Sequence, residues 1–119
     1  MNKLKLLFAM LLLVGFIACG DDEEPMTGVT CETADLTYTN GIADIINGSC
    51  ATSGCHASNT MTTFPMGNYD EALAAVGFGR IIGSINHEAN FSPMPRNGAK
   101  LDDCTIDKVT AWINDGAPE

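Results

Sequence analysis

Cys50-Ala51-Thr52-Ser53-Gly54-Cys55-His56 places two thiols with four residues between them and an imidazole directly after the second. That order suits covalent attachment of a haem. Each sulfur can add across one porphyrin vinyl group, and the adjoining histidine is then held beneath the ring to ligate iron. The commoner attachment spacing leaves two residues between the cysteines, so the four found here is a rarer form. An iron held by His56 needs a sixth ligand or an open position. Met94 lies in Ser92-Pro93-Met94-Pro95, where a thioether between two prolines sits on a stiff, non-helical segment suited to reach across a ring face. A methionine in that role raises the reduction potential relative to a second histidine. His87, the only other histidine, is the competing ligand. Met61 and Met66 are nearer the attachment segment and read as loop or packing residues.

The same residues admit two other chemistries. Cys31, Cys50, Cys55 and Cys104 allow three full disulfide pairings, which would give a stapled surface binding module without haem. Zinc held by Cys50, Cys55, His56 and His87 is the other. A cysteine and histidine adjacent in sequence rarely aim at one tetrahedral ion, and export oxidises thiols. No second acid/base constellation accompanies the site, because Asp102 and Asp103 read as helix caps. The chain is therefore not expected to be an enzyme.

The ends of the chain bear on where this chemistry would take place. Lys3 and Lys5 precede an almost wholly apolar stretch over residues 6–17, and Ala18 puts a small residue before Cys19. This reads as a secretory signal over residues 1–18, too short for a comfortable membrane span. Phe16-Ile17-Ala18-Cys19 resembles a bacterial lipobox, which implies that Cys19 becomes an acylated N-terminus. The run Asp21-Asp22-Glu23-Glu24 then cannot pack, and residues 19–30 form an acidic tether. Without the two leader lysines, four basic residues face fifteen acidic ones, a net of −11. Such a surface repels nucleic acid and anionic lipid and favours a cationic protein partner.

Residues 31–119 must hold these groups in place, and a domain that small has a marginal core that needs a staple. A haem or a disulfide would serve. Ile42, Ile45 and Ile46 recur at helical spacing, with Thr39 or Asn40 to cap and Asn47-Gly48 to stop, so a short helix leads into Cys50. Residues 57–67 read as a loop. Asn68 or Asp70 caps a second helix on which Leu73 and Val76 share a face. Residues 80–82 offer one further short turn or helix, and residues 86–98 are irregular. The last helix starts at Asp102 or Asp103 and carries Ile106, Val109, Trp112 and Ile113 on one stripe before Gly116 and Pro118 end it. Nothing reads as strand, so the fold class is all-α, with three to five short helices and long loops.

Taken together, Leu36-Thr37-Tyr38-Thr39-Asn40 with Ile42, the Cys-x-x-x-x-Cys-His segment, Pro93-Met94-Pro95, and Ala111-Trp112-Ile113 with Gly116-Ala117-Pro118 resemble a class I cytochrome c domain. The likeness is to the small domains of secreted and lipid-anchored proteins of Bacteroidota and related bacteria, and it covers nearly all of residues 31–119. It implies one haem c with thioethers at Cys50 and Cys55, His56 as proximal ligand and Met94 as distal ligand. It also implies electron transfer to a redox protein partner with a basic docking face, and a lipid anchor as the only membrane attachment. Arg80 and Arg96 are candidates to pair with a haem propionate. The first and last helices should cross, with Ile42 or Ile46 near Trp112. That crossing makes Cys31–Cys104 the preferred disulfide, a bridge contributing about 4 kcal/mol on the chain-entropy model. If Cys50 is not on haem, Cys50–Cys104 is the rival pairing.

Overall fold

Thr37 starts the first helical segment through a reciprocal cap. Its hydroxyl accepts from the Asn40 N–H, and the Asn40 side chain accepts from the Thr37 N–H at 2.7 Å. The computed structural model describes residues 30–62 and 64–119; the leader, Cys19 and most of the acidic tether lie outside them. A wide π-type turn over Tyr38–Ile42 runs directly into α1, Ala43–Ser49, whose last turn hands the chain to Cys50. The helix thus starts earlier than Thr39 or Asn40 capping predicts, and it passes through Asn47-Gly48 instead of stopping there.

Asn68 caps α2, Tyr69–Gly77, by accepting from the Glu71 N–H at 3.0 Å. The buried face of α2 is Ala72 and Ala75, while Leu73 stays exposed, so the expected Leu73 and Val76 stripe is rotated. Two small alanines let the helix approach the aromatic core closely, which the bulk of leucine would prevent. α3, Ile81–Ile85, is a single short helix, and residues 86–98 are irregular as expected. α4, Asp103–Asn114, is the longest element among the described residues, capped by Asp102 and buried along Ile106, Val109 and Trp112. Among the described residues there is no strand, and no helix is long and apolar enough to cross a membrane.

The core joins the two ends of the domain. Tyr38, Ile42, Ile46, Met66, Ala72, Ala75, Trp112 and Ala117 pack as one cluster, with Ile42 and Trp112 fully shielded from solvent. Tyr38 sits between Tyr69 and Trp112, its ring centre 5.4 Å from one and 6.3 Å from the other. Such tilted pairs add to the area they bury. Ile85, Ile106 and Val109 form a second cluster that seats α3 on α4.

A disulfide joins Cys31 to Cys104, with Cα atoms 5.4 Å apart, and ties the segment before the π-type turn to the first turn of α4. It encloses a loop of 73 positions, for which the chain-entropy model gives a stabilisation of about 4 kcal/mol. Replacing both cysteines by alanine should lower the urea midpoint accordingly, and a reductant should then have no further effect on that variant. A second expectation concerns acid. Thr105 donates to Asp102 through its hydroxyl first and its N–H second, which holds the Asp102 carboxyl below the usual carboxylate range. A lowered folded pKa means stability present above the unfolded value and lost as pH falls through the folded one. Urea midpoints of wild type and Asp102→Asn, still a capping residue, should therefore be most alike below the normal carboxylate range and separate above it.

Candidate functional site

Cys50 ends α1, and the chain folds over it. The N–H groups of Cys50 and Ala51 both reach the Ile46 carbonyl, at 2.8 and 2.7 Å. A tight turn then forms, with the Cys55 N–H on the Thr52 carbonyl and Gly54 in the left-handed region at φ 80°, where a side chain would be strained. The His56 N–H closes the loop by donating to the Cys50 carbonyl at 3.1 Å. The two residues beyond the commoner spacing are thus absorbed in a turn, and Cys50 and His56 remain neighbours.

His56 is held at three points. Its N–H is used as above, its carbonyl accepts from Met66 at 2.7 Å, and ring Nδ1 lies 2.6 Å from the Phe64 carbonyl. A carbonyl can only accept, so Nδ1 carries the proton and Nε2 of the neutral ring keeps its lone pair. Fixing one ring nitrogen by a main-chain hydrogen bond is how a metal-binding imidazole is oriented. The Thr62 hydroxyl lies 3.5 Å from the same Nδ1.

Both thiols on this loop are free, Cys50 half-buried and Cys55 exposed. The Cys31–Cys104 bridge removes Cys104 as a partner for Cys50, which disposes of the Cys50–Cys104 pairing. Burial first, and negative charge on Cys55 second, push the Cys50 thiol up. A thiol held protonated is a poor thiolate ligand. Among the described residues, no group of three or more His, Cys, Asp or Glu side chains converges as a metal site would require. Zinc held by Cys50, Cys55, His56 and His87 therefore has no geometric support.

A cavity of about 350 Å³ is lined by Phe64, Pro65, Ala74, Ala75 and Phe78 together with Asp70 and Glu71, and Phe64 connects it to His56 through its carbonyl. The Phe64 ring meets Phe78 edge-on at 4.7 Å. The loop that carries Phe64 is clamped by one carboxylate. Oε2 of Glu71 accepts from the Ser58 hydroxyl at 2.6 Å and from the Gly67 N–H at 2.9 Å. Sequence reasoning missed Ser58, Gly67 and Glu71. The signal was present in Asn68-Tyr69-Asp70-Glu71, a capping-box spacing, but here the carboxylate reaches one residue further back than the cap.

Met94 lies elsewhere in the chain's hydrogen bonding. It is half-buried, its N–H donates to the Ser84 carbonyl at 3.0 Å, and its carbonyl lies 3.1 Å from His87 Nε2. The structure therefore gathers Cys50, Cys55 and His56 in one closed loop and His87 with Met94 in another. Met66 is a core residue and Met61 is fully exposed, in keeping with loop and packing roles. Arg80 stacks over the Phe91 ring at 5.0 Å, and Arg96 is exposed. No protein-family model, curated protein or solved structure matches the chain.

Gly67 passes so close to Ser58 that a Cβ added to it would meet the Ser58 hydroxyl and lie 2.9 Å from its backbone nitrogen. Gly67→Ala should destabilise the domain by about 1–3 kcal/mol, read as a lowered urea midpoint. Ser58→Ala should not reverse the loss, because the backbone clash persists.

Proposed function

We propose that this domain is an electron-transfer cytochrome of the c type, with one haem bonded to Cys50 and Cys55 and with His56 and Met94 as axial ligands. One observation carries the reading. The Nδ1 proton of His56 is committed to the Phe64 carbonyl, so Nε2 is free to ligate, and two unpaired thiols lie on the same closed loop. The donor chemistry fits the group: one imidazole with an available nitrogen, one thioether, and two thiols reserved for carbon–sulfur bonds.

A haem held there would supply a one-electron couple, its iron alternating between ferrous and ferric forms. The protein's own task is to bind and to hold still. His56, fixed at backbone and ring, keeps one orientation in both oxidation states. Phe64, whose carbonyl meets the His56 ring, belongs with Pro65, Ala75 and Phe78 to a cavity that Asp70 and Glu71 also line. No acid/base pair is required, and the reading assigns no enzymatic activity. The strongly acidic composition favours a redox protein with a basic docking face and disfavours nucleic acid. The leader, Cys19 and the acidic tether support export and lipid anchoring in the bacterial cell envelope, on the periplasmic face or the outer membrane surface. The stapled-module alternative keeps the Cys31–Cys104 bridge but leaves the His56 orientation and the two free thiols without a task.

Produced in a host with haem maturation machinery, the protein should stain for haem on a denaturing gel, gain the mass of one haem and show a sharp α band on reduction. A colourless, unstained product would remove the reading. Met94→Ala should convert the iron to high spin, and an unchanged spectrum would hand the sixth position to His87.

A further inference from the structure

We propose that His87 is a positioning residue for Met94, holding the methionine's main chain through ring Nε2; this rests on the haem reading above. The Met94 carbonyl lies 3.1 Å from His87 Nε2, and since a carbonyl only accepts, that nitrogen is the donor. Nε2 is thereby committed to the methionine's main chain, while the lone pair of the neutral ring lies on Nδ1. The other backbone group of Met94 is used as well, its N–H meeting the Ser84 carbonyl at 3.0 Å. Ser84 also accepts from the His87 N–H at 3.2 Å. One carbonyl at the end of α3 therefore anchors both the histidine and the methionine, and the imidazole closes the ring between them.

The flanking sequence explains why a side-chain donor is needed. Pro93 and Pro95 have no N–H to donate, so securing this tip falls to Met94's own groups and to whatever reaches them. The rest of the loop is anchored separately. Phe91 lies where a Cβ on Gly83 would fall within 2.7 Å of its ring atoms, and Arg80 stacks over that ring at 5.0 Å. His87 adopts φ 57°, a left-handed conformation that histidine and asparagine enter more readily than most residues. That backbone turns the ring back toward position 94.

The test uses the full-length haem-loaded protein. His87→Asn keeps the left-handed backbone but is too short to reach the carbonyl, whereas His87→Gln retains an N–H donor three bonds from Cβ, as Nε2 is. Imidazole in solution competes with Met94 for the iron and reports how firmly the methionine is held. Both variants should keep the methionine-to-iron charge-transfer band. His87→Asn should bind imidazole about two- to tenfold more tightly than wild type, as expected for loss of one hydrogen bond, and His87→Gln should return toward wild type. Equal imidazole affinity in wild type and His87→Asn overturns the proposal, and so does equal tightening in both variants, which would assign the effect to ring bulk. Loss of the sixth ligand in His87→Asn, with an unchanged spectrum in Met94→Ala, makes His87 the ligand and also overturns it. A protein that carries no haem at all defeats the earlier reading, which separates that failure from these.

Discussion

Three donors from three elements converge on two consecutive carbonyls. The Tyr38 N–H and the Trp112 indole N–H both meet the Pro118 carbonyl at 2.8 Å, and the Tyr69 hydroxyl meets the Ala117 carbonyl at 3.0 Å. The start of the first helical segment, α2 and α4 are thereby tied to residues 116–118. Ala117 is buried and left-handed at φ 55°, a conformation that persists only where surrounding contacts over-determine it. Polar groups enclosed by aromatic rings are costly when unpaired, so loss of any one donor would be felt by the others. The packing of Ile42, Ile46 and Trp112 follows from this knot, and through α1 so does the place of Cys50.

The candidate site is built outward from that frame by short-range closures. α1 delivers Cys50, a turn carries the chain to Cys55, and the return bond from His56 to Cys50 makes a compact unit. α2 contributes Glu71, whose carboxylate pins the loop bearing Phe64. The cap of a helix and the orientation of an imidazole thus depend on one segment, residues 58–71. This economy is available to a small domain because few residues separate the groups involved.

Much of this was legible in the residues alone. The stripe of Ile106, Val109 and Trp112 marks α4 through its 3.6-residue period, and Asn68 and Asp102 announce their helices by capping chemistry that is local. The disulfide came from a likeness in helix placement, not from spacing, since four cysteines leave three pairings open. Other features were out of reach because they depend on tertiary approach. The burial of Ala72 and Ala75 in place of Leu73 is decided by what α2 packs against. The hold of Glu71 on Ser58 and Gly67 spans a loop whose path no pattern encodes. His87 reads as a ligand in any list of metal-binding side chains, and only the position of the Met94 carbonyl gives it another task.

The Cys31–Cys104 bridge carries a consequence for how the chain matures. In an unfolded chain the probability that two positions meet falls steeply with their separation. The pair spaced by 73 positions therefore collides less often than Cys50 with Cys55, by a factor on the order of tens. On loop entropy alone the favoured product is the small ring, which would consume both sulfurs of the Cys50–Cys55 turn. The observed pairing is the entropically less favoured one, and it joins two ends that the tyrosine and tryptophan knot also holds together. The contacts of the folded core thus offset the cost of the longer ring, while Cys50 and Cys55 stand unbonded.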